Sequence, residues 1–295
     1  MTVLTVIQDC ARELKQPVPS AVVTSTDKDT LFLLAMFNRA GRDLRSKYKW
    51  PVLTREHVFT TDGTGSAALP GDFDYELFNT HWDRTNHWEL RGPLSPEQWQ
   101  QRVSGIVTSL PKVGFRIKGV TDKRIFYEPV AASGSTLVFE YQTTNWVRPK
   151  TWTTSTTYTL GDYIFYNGNY YYCSYGVGSA VGAGNGGSTP PTHTTGSQNF
   201  GGSTGVTWDY FNGVYERPVK DTDIPLLDEH LLGLEVKWRW KREQGVEWQT
   251  YFDEAVNAAK RLYTSGKSAP MIDLTARRRN YLIGWRNIPD GNYGA

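Results

Sequence analysis

The chain has 295 residues, a formal net charge of +2 and 39% apolar residues, enough for two or three modest domains around packed cores. So even a charge balance singles out neither nucleic acid nor a membrane surface as partner of the whole chain. The only cysteines, Cys10 and Cys173, lie in regions of different composition, which excludes a disulfide-stapled scaffold.

Residues 1–15 include Asp9, Arg12 and Glu13 and so lack the apolar stretch of a signal peptide. No run reaches the length of a membrane span, so no membrane is expected as partner and a cytoplasm is the expected place of synthesis. Val3, Ile7, Cys10 and Leu14 recur at helical spacing and predict a helix over 4–15, ended by Pro17 and Pro19. Ser25, Thr26 or Asp27 caps a second helix over 28–49, with the stripe Leu31, Leu34, Phe37, Gly41, Leu44 and Tyr48 before Pro51. The period then changes. Residues 56–61, 115–118, 124–127 and 136–142 read as short strands, with a turn or two of helix at Ser95-Pro96-Glu97-Gln98-Trp99.

From 151 to 211 the only charged residues are Asp162 and Asp209, and Thr, Gly and Tyr dominate. Residues 163–166 and 169–173 predict a hairpin about Asn167-Gly168, followed by a Gly-, Ser- and Thr-rich loop over 176–205. A separate small β-module of three or four strands is expected here, projecting outward. Asp221 or Asp223 then caps a helix over 225–244, with Pro225 in its first turn. Its apolar face is Leu227, Leu231, Leu234 and Trp238, and Gly245 closes it. A last helix over 248–264 carries Trp248, Phe252, Ala255, Ala259 and Leu262. The fold expected is α+β. A helical bundle is built from 1–50 and 218–265, a β-rich domain from 51–150, an inserted all-β module from 151–211, and an extended docking arm from 266–295.

Enzyme-like strings fail on context. Gly201-Gly202-Ser203-Thr204-Gly205 matches a nucleophile elbow, but it sits in the Gly-rich loop without a buried strand before it or a helix after it. Gly182, Gly184 and Gly187 match a dinucleotide-binding loop with no helix to follow. Gly266-Lys267-Ser268 resembles the end of a P-loop, but Arg261 occupies the place of its first glycine. His57, His81, His87, His193 and His230 are scattered, so no metal site is expected. Asp72, Asp74, Glu76 and Asp83 could supply paired carboxylates, but carboxylates this common prove nothing, and turn capping and loop solvation are the favoured explanation. No catalytic residue and no cofactor is expected.

Two stretches look made for binding. Trp152, Tyr158, Tyr163, Tyr166, Tyr170, Tyr171, Tyr172 and Trp208 crowd the charge-poor module. Exposed rings would stack on sugars, with Trp152, Tyr158, Tyr170, Tyr172 and Trp208 as the candidates. Alternatively, all of them pack inward or against neighbouring subunits. The last stretch sets Arg277, Arg278, Arg279 and Arg286 among Met271, Ile272, Leu274, Tyr281, Leu282, Ile283 and Trp285. It is too apolar for a disordered tail, and Arg with Tyr and Trp suits a protein interface, although a solvated basic turn is the alternative.

The segment 221–229, followed by Trp238-Arg239-Trp240-Lys241 and Gly245, resembles the C-terminal helices of head-to-tail adaptors of short-tailed bacteriophages, the tail tubular protein A-like connectors. So does Leu33-Leu34-Ala35-Met36-Phe37-Asn38-Arg39-Ala40-Gly41 with Trp50-Pro51. The likeness covers roughly 1–146 and 215–295. It implies a virion protein at the head-tail junction, assembled in a host cytoplasm as a ring of twelve copies. The ring would join the portal protein to a tail tube or nozzle protein and surround the channel through which DNA passes without sequence-specific binding. It also implies that the C-terminal arm reaches the portal through Arg277, Arg278, Arg279, Tyr281, Trp285 and Arg286. The insert resembles small chitin-binding-type modules in Trp152, Tyr158, Gly161-Asp162, Tyr170-Tyr171-Tyr172-Cys173, Pro190-Pro191 and Trp208, departing from them in its long Gly-rich loop. The competing readings are a glycan-binding adhesion protein acting through 151–211, with a surface glycan as partner, and a carbohydrate-active enzyme carrying that module, which would need converging acids outside the insert that the sequence does not offer.

Overall fold

The structure is a computed structural model that describes residues 1–105, 113–119, 123–154, 156–176, 189–200 and 206–265. In chain order come helices α1 (Val3–Glu13) and α2 (Lys28–Lys47), a 3-10 turn at Pro51–Leu53, and strands β1 (Thr54–Thr60), β2 (Ser66–Ala68), β3 (Phe73–Glu76), β4 (Trp82–Asp83) and β5 (Trp88–Glu89). Helix α3 (Pro96–Ser104) precedes β6 (Gly114–Lys118), β7 (Arg124–Glu128), β8 (Thr136–Thr143) and β9 (Val147–Arg148). The insert supplies β10 (Tyr163–Tyr166), β11 (Asn169–Gly176), β12 (Ser197–Phe200) and β13 (Val206–Phe211), and the chain goes on through β14 (Ile224–Pro225), α4 (Glu229–Glu243) and α5 (Gln249–Ser265). The class is α+β, with antiparallel strand pairing in the sheets.

Two compact units result: Met1–Leu53 with Thr144–Lys267, and a β-rich unit built on Thr54–Thr143. The first brings helices from both chain ends into one core. Local signals start these helices. Asp27 accepts from Thr30 N (2.9 Å) and Thr30 Oγ1 (2.8 Å) to cap α2, and Asp228 accepts from Leu231 N (2.9 Å) to cap α4. The carbonyls of Asp221 and Asp223 take the Leu4 and Val3 N–H groups at the start of α1.

Helix α4 begins four residues later than the spacing predicts, because Ile224 and Pro225 pair with Arg148 and Val147 as a short ladder. Asp221 and Asp223 cap nothing there. The Asp221 carboxylate accepts from Val22 N (3.0 Å) and Val23 N (2.8 Å). Asp223 accepts from Tyr215 Oη (2.8 Å), Val219 N (2.7 Å) and Lys220 N (2.9 Å), while burial pushes its carboxyl up.

The helical unit claims Thr144–Val147, so the β unit ends at 143 rather than 150. Trp146 is fully buried, its ring 5.4 Å from that of Phe37. On α2 it leaves room only for a glycine, since a Cβ at Gly41 would lie 2.4 Å from three Trp146 ring atoms.

In the β unit the sheet runs β1-β8-β4-β5, with β3 also on β8, and a second sheet runs β2-β7-β6. Phe73, Phe115, Ile125, Tyr127, Leu137, Phe139 and Tyr141 form its core. His81 is part of it, 3.8 Å from the Phe115 ring and 4.9 Å from the Phe139 ring, both nearly parallel. Both ring nitrogens are buried without a hydrogen-bond partner among the described residues, and burial pushes the imidazole down to about 3.

Gly41→Ala should destabilise the helical unit by about 1–3 kcal/mol through overpacking against Trp146, the opposite of the gain of about 1 kcal/mol the same change brings on an open helix. Denaturant unfolding checks it. The neutral His81 holds its folded pKa below its ordinary 6.5, so its contribution is complete above pH 6.5 and is lost as pH falls towards 3. His81→Phe should therefore flatten the acid limb of the stability profile of the β unit, by up to about 1.4 kcal/mol per pH unit. An unchanged slope would show that His81 is not held neutral.

Candidate functional site

The binding segment over 277–286, with Arg277, Arg278, Arg279, Tyr281, Trp285 and Arg286, lies outside the described residues, as do the glycine strings at 182–187 and 201–205 and the P-loop-like ending at 266–268. The insert and a groove on the β unit remain.

The insert forms one sheet in the order β10-β11-β13-β12. The predicted hairpin is present, pairing Tyr163–Tyr172, Ile164–Tyr171, Phe165–Tyr170 and Tyr166–Asn169. Asn167 and Gly168 both take positive φ at its turn. Alternation sends Tyr171, Cys173, Ile164, Val206 and Trp208 to one face, where Tyr158 joins them in a small core. The Tyr158 and Trp208 rings meet edge to face at 5.1 Å. Tyr170 faces the other way and is buried in the helical core, with Tyr163, Phe165 and Phe211 packed beside it. Tyr215 closes this seam, 5.3 Å from Tyr163 and 6.0 Å from Tyr170.

Of the five rings expected to stack on a sugar, Trp208 and Tyr158 are 0% exposed and Tyr170 is 3% exposed, so these three offer no face to solvent. Trp152 and Tyr172 are half-buried, each packed on another tyrosine, Tyr166 and Tyr163 respectively. The sheet expected to project freely is docked along one face. Asp162 ion-pairs with Lys220 across the same junction, and although burial raises its carboxyl, Lys220 and Thr159 outweigh burial and hold it low.

Of the four carboxylates that could have formed an acid pair, Asp72 and Asp83 are used structurally. Asp72 accepts from Tyr141 Oη (2.9 Å) and Thr143 Oγ1 (2.6 Å). Asp83 takes Thr85 N, Asn86 N and Asn86 Nδ2 at 2.8–3.0 Å in the β4–β5 turn. Burial pushes the Cys10 thiol up to about 12 and that of Cys173 to about 11, which leaves both protonated. Among the described residues, no three His, Cys, Asp or Glu gather to hold a metal and no helix is long and apolar enough to cross a membrane.

The groove is a feature that sequence reasoning missed. It lies on the outer face of the β unit's larger sheet, with a cavity of about 480 Å³ lined by Glu56, Trp82, Arg84, His87, Val138 and Glu140 among others. Its residues come together only through strand register, Glu56 opposite Glu140 and Trp82 opposite Val138. Cross-strand carboxylates repel, and Arg84 Nη2 reaches one of them, Glu56 Oε2, at 2.9 Å.

The family model described as SU10 adaptor protein matches residues 1–176, which span the first helices, the β unit and the insert's hairpin, and the chain belongs to that family. It is a phage structural adaptor and a component of the virion. No curated protein matches the chain.

Trp208→Ala should unfold the insert's core at a cost of about 3–5 kcal/mol, while Tyr172→Ala should change stability by far less. Proteolytic cleavage within 151–211, compared between the two variants, reads this out. Equal resistance in both would mean that Trp208 does not anchor the module.

Proposed function

We propose that this adaptor joins the portal ring of the phage head to the tail, as one subunit of a dodecameric ring around the channel through which DNA leaves. The observation that carries the reading is membership of the SU10 adaptor family over residues 1–176. A phage adaptor has partners on both sides, and the portal protein and a tail tube or nozzle protein are the two that its role requires. Assembly takes place in the host cytoplasm.

The architecture suits a structural part. Chain ends converge in one helical core, and the insert is anchored to that core by aromatic contacts and the Asp162–Lys220 pair. The portal contact is assigned to the C-terminal segment. Met271, Ile272, Leu274, Tyr281, Leu282, Ile283 and Trp285 are apolar side chains whose individual burial is worth roughly 1.5–3 kcal/mol. Arg277, Arg278, Arg279 and Arg286 supply forked donors for acidic partners. Repetition around a ring turns a modest contact into strong avidity. The glycan-binding alternative has less behind it, because three of its five rings are buried.

Truncation after Gly266 should leave a soluble protein with an unchanged melting temperature that no longer attaches to portal rings in a pull-down. Attachment with unchanged affinity would move the portal contact to another part of the chain. Location of the chain at the portal vertex of intact particles by electron microscopy tests the reading as a whole.

A further inference from the structure

The open face of the β1-β8-β4 sheet has an order that an ordinary solvated face does not need. Residues directly opposite in register share a face. Val58, Val138, Trp82 and Glu89 therefore form one row across four strands, and Glu56 with Glu140 forms the next. Val58 is 47% exposed and both glutamates are exposed, whereas Val138 is buried and Trp82 half-buried, so Val58 is the apolar side chain most open on this face. Arg84 partners Glu56, but among the described residues no cation meets the Glu140 carboxylate. Two like charges placed directly opposite are destabilising in the free chain, so the pair is one cation short.

A matching surface occurs on α2. Its outward stripe runs Leu31, Ala35, Arg39, Arg42 and Ser46, all exposed. Among the described residues, Arg39 and Arg42 have no ion pair or side-chain hydrogen bond. Their i,i+3 spacing keeps both on one helix face with Cβ atoms about 5–6 Å apart, so the long guanidinium arms of both can reach a directly opposed strand pair such as Glu56 and Glu140. Four residues of helix rise about 6 Å, and two residues of strand about 6.8 Å. A helix laid along the strands with Arg39 and Arg42 beside the glutamates thus brings Ala35, four residues from Arg39, to the next row beside Val58. The wider balance agrees, because acidic side chains outnumber basic ones in 54–143 and the reverse holds in 1–53.

We propose that this sheet face is the seat for helix α2 of a second copy of the chain, with Arg39 and Arg42 of one copy engaging Glu56 and Glu140 of the next. Two different surfaces meet in this contact, which is the heterologous kind that closes rings. The proposal rests on the ring reading and names its interface.

The test uses the full chain in sedimentation velocity and native mass spectrometry over a range of concentrations. Glu56→Lys with Glu140→Lys should raise the concentration needed for assembly at least tenfold, and so should Arg39→Glu with Arg42→Glu, as expected for close charge pairs. Combining all four should restore assembly to near its original concentration. All four positions are exposed, and the Arg84–Glu56 pair is of the weak surface kind, so melting temperatures should stay level and separate this outcome from misfolding. Glu140→Cys with Arg42→Cys should form a disulfide ladder of linked chains under mild oxidation, with buried Cys10 and Cys173 not competing. Cross-linking confined to single chains would overturn the proposal. Rings that ignore both reversals would overturn it while leaving the ring reading in place, and sensitivity to the glutamates alone would assign the groove to another occupant. A native chain that stays monomeric throughout would end the ring reading together with this one.

Discussion

Helix α4 can sit inside the helical unit only because its charges are matched. Every residue from Leu231 to Arg239 is buried, so the helix has no solvent face in its middle turns. Three of those residues are Glu235, Lys237 and Arg239. Lys237 Nζ reaches Glu13 Oε2 on α1 at 2.6 Å, and Arg239 Nη2 reaches Asp43 Oδ2 on α2 at 2.8 Å. Arg239 also pairs with Glu235 one turn back, and Glu235 accepts from Trp238 Nε1 at 2.8 Å. Removing one partner from such a set leaves a buried charge unpaired, typically at a cost of 3–5 kcal/mol. The pairs therefore fix which helices surround α4 and in what register, a constraint that apolar packing alone does not impose. Helices α1 and α2 from the N-terminal part of the chain must be present for α4, near the other end, to be buried as it is.

The aromatic surplus follows from the same economy of surfaces. The insert is small, and a four-stranded sheet with two apolar faces cannot cover both by itself. One face closes on Tyr158 and Trp208 within the module, and the other borrows the helical core through Tyr163, Phe165, Tyr170 and Phe211. Tyrosine suits this seam because its ring fills apolar space while its hydroxyl keeps a polar contact, as Tyr215 does with Asp223. High Tyr and Trp content here reflects docking between parts of one chain, and that is why composition alone suggested a sugar platform.

Much of the fold was legible because it is local. The helical stripes, the Asn167-Gly168 hairpin and the capping box of Ser95 with Gln98 are readable within a few residues. What was not legible depends on partners distant in sequence. The start of α4 shifts because Pro225 finds Val147, and the β unit ends early because Trp146 finds Phe37. Two-residue strands such as β4 and β5 carry no period to detect. Alternation along a strand sets Tyr170 and Tyr172 on one face and Tyr171 on the other, but it cannot say which face is covered. The groove was invisible for the same reason, since Glu56 and Glu140 are far apart in the chain and meet only through the register of β1 with β8.

A near-neutral total also conceals how charge is distributed. The +2 of the whole chain is a small remainder of 32 basic and 30 acidic side chains, and its sign says nothing about which faces carry which. Many of those charges are consumed internally, as on α4. Those left over on exposed faces act at short range, because at 0.1 M salt the Debye length is about 10 Å. Opposed patches of this size do not attract a polyanion from a distance, but they do select orientation once two surfaces touch. In the proposed ring, where DNA would pass while neighbouring copies hold on to each other, that division is physically coherent. There, weak long-range charge would limit trapping of the passing polyanion, and matched short-range pairs would define the contacts that must persist.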